Sequence, residues 1–255
     1  MTTCNGSTRC GGMLRKRLGL PAVLLALALL SGAVPGGACQ AATTSADMEK
    51  EQPGTKLLSF APAVGAWSAV TDGGRTVLKV DGSRWTSGKP SPELGESART
   101  LYGEQAPAFE KAISAHANFP FAVFTGLKEF TQGEISFRFK SVQGKEDQAA
   151  GILFDLKPDG DALILRANAL EDNLILFQYA SGRRSAVKTV DNVPTAKGAW
   201  HDIKLVVNGT VLEGFVDGKA YLKHDLGRPV SGRVGVWSKD DSVMLIDGFT
   251  VTTHD

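Results

Sequence analysis

The chain has 255 residues, with 28 Lys and Arg against 27 Asp and Glu and a formal net charge of +1. That balance excludes the basic footprint of a nucleic-acid-binding protein, and the three cysteines and four histidines show no zinc-type spacing. About 200 residues beyond a distinct leader are enough for one hydrophobic core.

The leader comes first. Arg15-Lys16-Arg17 precedes a mostly apolar run from Leu18 to Leu30, and Ser31, Gly32, Ala33, Gly36, Gly37 and Ala38 follow. This order predicts a secretory signal peptide over residues 1–42, with Met13 a second candidate start. The apolar run is shorter than the roughly 20 residues of a spanning helix. Export to the periplasm, the cell envelope or the outside is therefore expected, with membrane contact only through the leader or a lipid. Cys4, Cys10 and Cys39 all lie in this segment, so the rest forms no disulfide. Cys39 reads either as a lipoprotein acceptor after Gly37-Ala38, or as a residue beside the signal-peptidase cut. Gly36 stands where a lipobox carries a large aliphatic residue. Without the leader's basic residues, 24 cations face 27 acids.

Residues 43–55 are polar and predict a flexible tether, which puts the domain at 56–255. Arg75 to Val80 alternates as a strand does. Thr86 to Arg99, with two prolines and two glycines, reads as a long surface loop. Pro107 to Ala117 is the one predicted helix, with Phe109, Ala112, Ile113 and His116 at helical spacing. Glu134 to Lys140 alternates polar and apolar, which predicts a strand burying Ile135, Phe137 and Phe139.

Ala149 to Leu156 and Ala162 to Asn168 flank the turn Lys157-Pro158-Asp159-Gly160. Leu174 to Tyr179 and Ser185 to Val190 flank Ser181-Gly182. Ile203 to Val207, Val211 to Val216 and Ala220 to Leu222 form a meander, with Asn208-Gly209 and Asp217-Gly218 as tight turns. Arg233 to Trp237 and Val243 to Thr252 close the chain. Short strands separated by turn signals predict an all-β jelly-roll β-sandwich of two antiparallel sheets with one short helix. A monomer is expected.

Five blocks carry a resemblance: Ala98 to Glu104, Asn118 to Val123, Lys145 to Gly151, Arg166 to Asn173 and Gly232 to Val243. On these, the stretch from Trp67 to Thr252 resembles an exported bacterial family with a concanavalin-like, laminin-G-like jelly roll. That family is related to the domain named for 3-keto-disaccharide hydrolases. The resemblance implies a fold that hosts lectins, hydrolases and adhesion modules. Binding of a glycan or glycoside is the leading expectation. A glycoside hydrolase of the 3-keto-disaccharide type is the alternative, and a protein-binding adhesion or scaffold module the second.

Site candidates follow from side-chain chemistry. Arg166, Asn168, Glu171 and Asn173 offer directional hydrogen bonds to sugar hydroxyls, or tie a turn. Asp147 and Gln148 precede Ala149-Ala150-Gly151, whose small residues mark close approach of a strand or a ligand. Trp237 and Lys239 lead to Asp241 and Ser242, with Trp237 a stacking ring or a core anchor. For hydrolysis, Glu171 with Asp147 or Asp241 is the candidate acid pair. Neither a Glu-x-Asp-x-x-Glu nor a Gly-x-Ser-x-Gly pattern occurs. No cofactor is expected unless Asp155, Asp159 and Asp161 hold calcium. Lys157 and Arg166 at ligand positions defeat an EF-hand register there. His116 and His201 read as structural.

Overall fold

The computed structural model describes residues 41–84, 89–116 and 119–254. Residues 1–40 of the predicted signal segment, with the two candidate start sites and Cys4, Cys10 and Cys39, lie outside the described residues, and its last residue, Ala42, pairs with Thr253.

In chain order the elements are β1 (Ala42–Ser45), β2 (Phe60–Val64), β3 (Trp67–Asp72), β4 (Arg75–Asp81), α1 (Leu94–Tyr102), α2 (Ala106–His116), β5 (Phe121–Phe124) and β6 (Gly133–Gln143). Then come β7 (Ala149–Leu156), β8 (Ala162–Asn168), β9 (Asn173–Ala180), β10 (Arg183–Asp191), β11 (Trp200–Asn208), β12 (Val211–Val216), β13 (Lys219–Asp225), β14 (Arg233–Ser238) and β15 (Val243–Thr253). The first sheet has the order β13-β12-β11-β6-β15-β4-β3, with β1 also on β15. The second has the order β10-β9-β8-β7-β14-β5-β2. Neighbours pair antiparallel throughout. The architecture is the expected jelly-roll sandwich.

Period-two patterning builds the space between the sheets. In β6, Ile135, Phe137 and Phe139 are buried, while Glu134, Ser136, Arg138 and Lys140 stay partly exposed. They join Phe60, Phe124, Phe130, Phe154 and Phe249 in one core. β7 and β8 are buried along their whole length because the second sheet is covered on both faces. Its outer cover is the helical segment. Leu94, Ala98, Leu101, Phe109 and Ile113 pack on Leu153, Leu156, Ala162 and Ile164.

Three expectations need correction. The loop predicted for 86–99 gives way to α1 at Leu94, whose Leu94, Ala98 and Leu101 share one helical face. The prolines and glycines before and inside that segment had outweighed a short apolar period. The predicted tether at 43–55 belongs to the domain. Thr43, Thr44 and Ser45 of β1 pair with Thr252, Val251 and Thr250. The buried Glu51 carboxylate accepts from the Leu58 and Ser59 amides. A polar edge strand is held by backbone bonds, which composition does not reveal.

The first hairpin turns at Gly209-Thr210, one residue later than expected, because Asn208 still pairs with Val211 and Gly209 takes φ +60. The second turns at Asp217-Gly218 as predicted, both with positive φ.

Candidate functional site

The outer face of the second sheet changes from apolar to polar along its strands. Ile164 and Phe177 oppose each other across β8 and β9 beneath the helices. The next row runs Phe121, Trp237, Gly151, Arg166 and Ile175 across β5, β14, β7, β8 and β9. The last row, Ala149, Asn168 and Asn173, meets the turns at the end of the sheet.

Those turns are built to bring charges together. Gly144 is required in the β6–β7 loop, because a Cβ there would sit 1.9 Å from the Asp147 carbonyl oxygen. The Asp241 carboxylate accepts the amides of Lys145, Glu146 and Asp147, tying the β14–β15 turn to this loop. Ser242 Oγ accepts from the Ala149 amide, and Ser238 Oγ donates to the Ala149 carbonyl.

Two ion pairs result. Asp147, buried to 3 % side-chain exposure, binds Lys239 Nζ at 2.6 Å and accepts from Asn168 Nδ2 at 2.8 Å. Arg166, equally buried, donates from Nη1 to Glu171 at 2.9 Å and to Asn173 Oδ1 at 2.8 Å. Asn173 Nδ2 closes the triangle on Glu171 at 3.0 Å. Burial opposes ionisation of Glu171, but the bonds from Arg166 and Asn173 outweigh it and hold its carboxyl below the ordinary value. Burial also lowers the Arg166 guanidinium, with Glu171 working against it.

Arg166, Asn168, Glu171, Asp147 and Lys239 therefore converge, as the sequence allowed. Their roles differ. Asn168 is enclosed, and its Oδ1 accepts the Gln148 and Leu170 amides, so it holds the turn. Glu171 stays 39 % exposed and Lys239 17 %.

Other candidates move away from a ligand role. Ala149 faces the helices and Ala150 the inter-sheet core, so Gln148 alternates to the inner side, where Nε2 donates to the Gly144 carbonyl. Gly151 is small for strand packing, since a Cβ would lie 3.0 Å from Ile164 Cγ2. Trp237 is buried against Phe119, with centroids 5.4 Å apart, and anchors the core rather than offering a stacking face. Asp241 is consumed by amides and belongs to no acid pair.

The calcium candidates do not converge either. Asp155 is neutralised by Arg228 at 2.8 Å and Lys157 at 3.0 Å, while Asp159 and Asp161 accept the backbone amides of Asp161 and Ser181. Among the described residues no metal-ligating cluster occurs. His201 has partners that the sequence did not reveal, Asp217 Oδ2 at 2.7 Å and the Ala196 carbonyl at 3.1 Å.

The structure adds residues that the sequence reading passed over. Asp240, not Asp241, faces the Asp147–Lys239 pair, 3.8 Å from Lys239 Nζ. Its φ of +42 marks the tight turn that aims it there. The half-buried Arg184 of β10 lies between Phe119 and Phe177, its guanidinium carbon 4.3 and 4.6 Å from their centroids. Arg166 reaches the same Phe177 ring at 5.4 Å. Tyr179, across from Arg184 in the ladder, completes this edge. The one sequence signal was alternation in β9 and β10, which assigns Phe177, Tyr179 and Arg184 to a face but not to a partner. Beside them a cavity of about 40 Å³ is lined by Ile113, His116, Phe119, Tyr179 and Trp237, among others.

Partial burial, and then the neighbouring Asp147 carboxyl, push Asp240 above the ordinary aspartate value of 3.8. A carboxyl raised on folding favours the protonated form. Its stabilising contribution is full below the unfolded value and is lost as pH rises through the folded one. Asp240→Asn, which mimics the neutral acid and tolerates positive φ, should therefore melt higher than the parent near pH 7 and converge with it below about pH 3.8. Thermal melts from pH 3 to 8 check this; a constant offset between the two would refute it.

No family model matches the chain, and no curated protein matches it in sequence. Among solved structures it is similar to the carbohydrate binding module CBM66 from Bacillus subtilis, with TM-score 0.55 and 11 % identity over 76 % of this chain and 95 % of that one. A Bacillus subtilis protein of unknown function with a galectin-like fold aligns at 0.49 and 12 % identity, over 86 % and 97 % of the two chains. Bacillus licheniformis β-glucanase aligns at 0.44 and 10 %, over 83 % and 91 %. At such identities the likeness establishes the jelly-roll fold alone.

Proposed function

We propose that the protein is an exported, monomeric glycan-binding protein whose site is the polar end of the second sheet's outer face. One observation carries this reading. Of six buried side-chain polar atoms without a hydrogen-bond partner among the described residues, three lie on this face: Arg166 Nε, Tyr179 Oη and Arg184 Nη1. Buried polar groups are ordinarily satisfied, so donors left open together mark a place for a ligand. Glu171, Lys239 and Asp240 at the opening supply directional bonds to hydroxyls, and the partly exposed Phe119 supplies an apolar ring. The fold, shared with a carbohydrate-binding module, supports the reading at the level of fold only.

A second reading, hydrolysis of a glycoside of the 3-keto-disaccharide type, draws on Asp240. Partial burial and the Asp147 carboxyl beside it shift Asp240 upward, the direction that proton donation to a leaving group requires. A protein-docking role has less behind it. The exposed large apolar side chains among the described residues are Leu58 and Val142, too little for a patch of several hundred Å².

The test is a glycan array with the exported protein, followed by calorimetry. Glu171→Gln should weaken binding about tenfold or more while the melting temperature falls little. Loss of stability in this variant with no glycan bound by the parent would leave only a turn-tying role. Turnover of a 3-keto-glycoside, abolished in Asp240→Asn, would favour the enzyme. An intact mass retaining Met1 or Met13 would remove the export part.

A further inference from the structure

Among the described residues Arg184 is a cation held in place without an ion-pair partner. Two phenyl rings fix its guanidinium from either side, at 4.3 and 4.6 Å. Of the acids around it, Glu171 is paired with Arg166 and Asp147 with Lys239, while Asp240, 3.8 Å from Lys239, also feels the charge of Arg184. Among the described residues no carboxylate reaches Arg184 within the 4.0 Å of an ion pair, and its Nη1 is buried without a partner. Arg166 lies close enough to feel the charge of Arg184. Two like charges thus border one Phe177 ring.

The open bonds also have one sign. Arg166 Nε and Arg184 Nη1 can only donate, and Tyr179 Oη, with the Arg184 and Trp237 donors turned toward it, keeps its own proton to give. Among the described residues no further buried atom without a partner lies on this face; the unpartnered Gln148 oxygen belongs to a side chain directed inward. A sugar hydroxyl brings a donor with every acceptor. A carboxylate brings two acceptor oxygens and a charge, and matches a planar guanidinium fork.

Resting on the glycan-binding reading above, we propose that the preferred ligand is an acidic glycan, with Arg184 as the residue that selects the carboxylate of a uronic acid unit. Arg166 borders the same Phe177 ring and Tyr179 faces Arg184 across the ladder, and Asp240 and Glu171 are left to the hydroxyls of the neighbouring ring positions.

The experiment compares oligosaccharides of galacturonic, glucuronic and mannuronic acid with their methyl esters and with neutral gluco-oligosaccharides, by calorimetry on the whole exported protein. At least one uronate should bind on the order of ten- to a hundredfold more tightly than its ester, which keeps the shape and loses the charge. Arg184→Ala should erase that ratio, and Arg184→Lys, which keeps the charge without the fork, should restore only part of it. If neutral sugars bind and no uronate is preferred over its ester, the acidic-ligand inference is overturned while glycan binding stands. If nothing on the panel or on a wider glycan array binds, both fall. Should Arg184→Ala fail to fold, the ester comparison on the parent protein still decides.

Discussion

Phe249→Ala is expected to lower the unfolding free energy by about 3–5 kcal/mol, the range for large aromatic truncations in a closed core. Phe249 is 1 % exposed, and its ring lies 5.3 Å from Phe60, 5.1 Å from Phe124 and 6.1 Å from Phe137. Phe60 and Phe124 belong to the second sheet and Phe137 to the first, so this one ring joins the two layers. A break in the β15 register between Asp247 and Thr250, with Gly248 at φ +67, turns Phe249 inward. Removing the ring forfeits its transfer free energy and leaves a void between sheets already pinned by their strands, so collapse cannot fill it. Urea unfolding measures the loss, and the melting temperature should fall by roughly 10 °C. The neighbouring, partly exposed Thr250 gives the contrast, since Thr250→Ala should stay within about 1 kcal/mol. A cost below about 1 kcal/mol for Phe249→Ala would contradict the inter-sheet core as described.

Asp147→Ala should cost nearly as much, about 3–5 kcal/mol, for a different reason. The substitution removes little apolar contact. It strands the Lys239 ammonium, which is mostly buried, and leaves Asn168 Nδ2 without its acceptor. Breaking one half of a buried pair is far more costly than removing both halves. Asp147→Ala combined with Lys239→Ala should therefore lose less than the two single variants summed, which a double-mutant cycle reads directly. Additivity within about 0.5 kcal/mol would mean the pair is not coupled and that Asp147 acts only through Asn168. Asp240, 3.8 Å from the same ammonium, takes up part of the freed charge in Asp147→Ala. Adding Asp240→Asn to that variant should enlarge the loss.

The strands were legible where the sequence alternates or where a positive-φ pair punctuates it. β6 shows this through Ile135, Phe137 and Phe139, and the turn at Asp217-Gly218 shows it through its two left-handed residues. β1 was not legible, because Thr43 and Ser45 gain their hold from backbone pairing and from hydroxyl contacts with Thr252 and Thr250. α1 was hidden by the prolines and glycines around its start. In the candidate site, the block from Arg166 to Asn173 could be picked out by its chemistry. Which member faces a ligand could not, since Asn168 and Glu171 are equally polar in sequence and opposite in exposure.

The sequence by itself determined the all-β class, most strand positions, the helix predicted from Pro107 and found as Ala106–His116, and the chemical type of the candidate site residues. These follow from local rules, a period of two or 3.6 and the φ preferences of a few turn residues. Only the tertiary structure decided that Asp240 and not Asp241 joins Asp147 and Lys239, that Gln148 turns inward, and that Arg184 lies between Phe119 and Phe177 with no ion-pair partner among the described residues. Those outcomes depend on register between strands distant in the chain and on which side of a turn each carboxylate emerges. A shift of one residue exchanges the faces without changing the composition that the sequence displays.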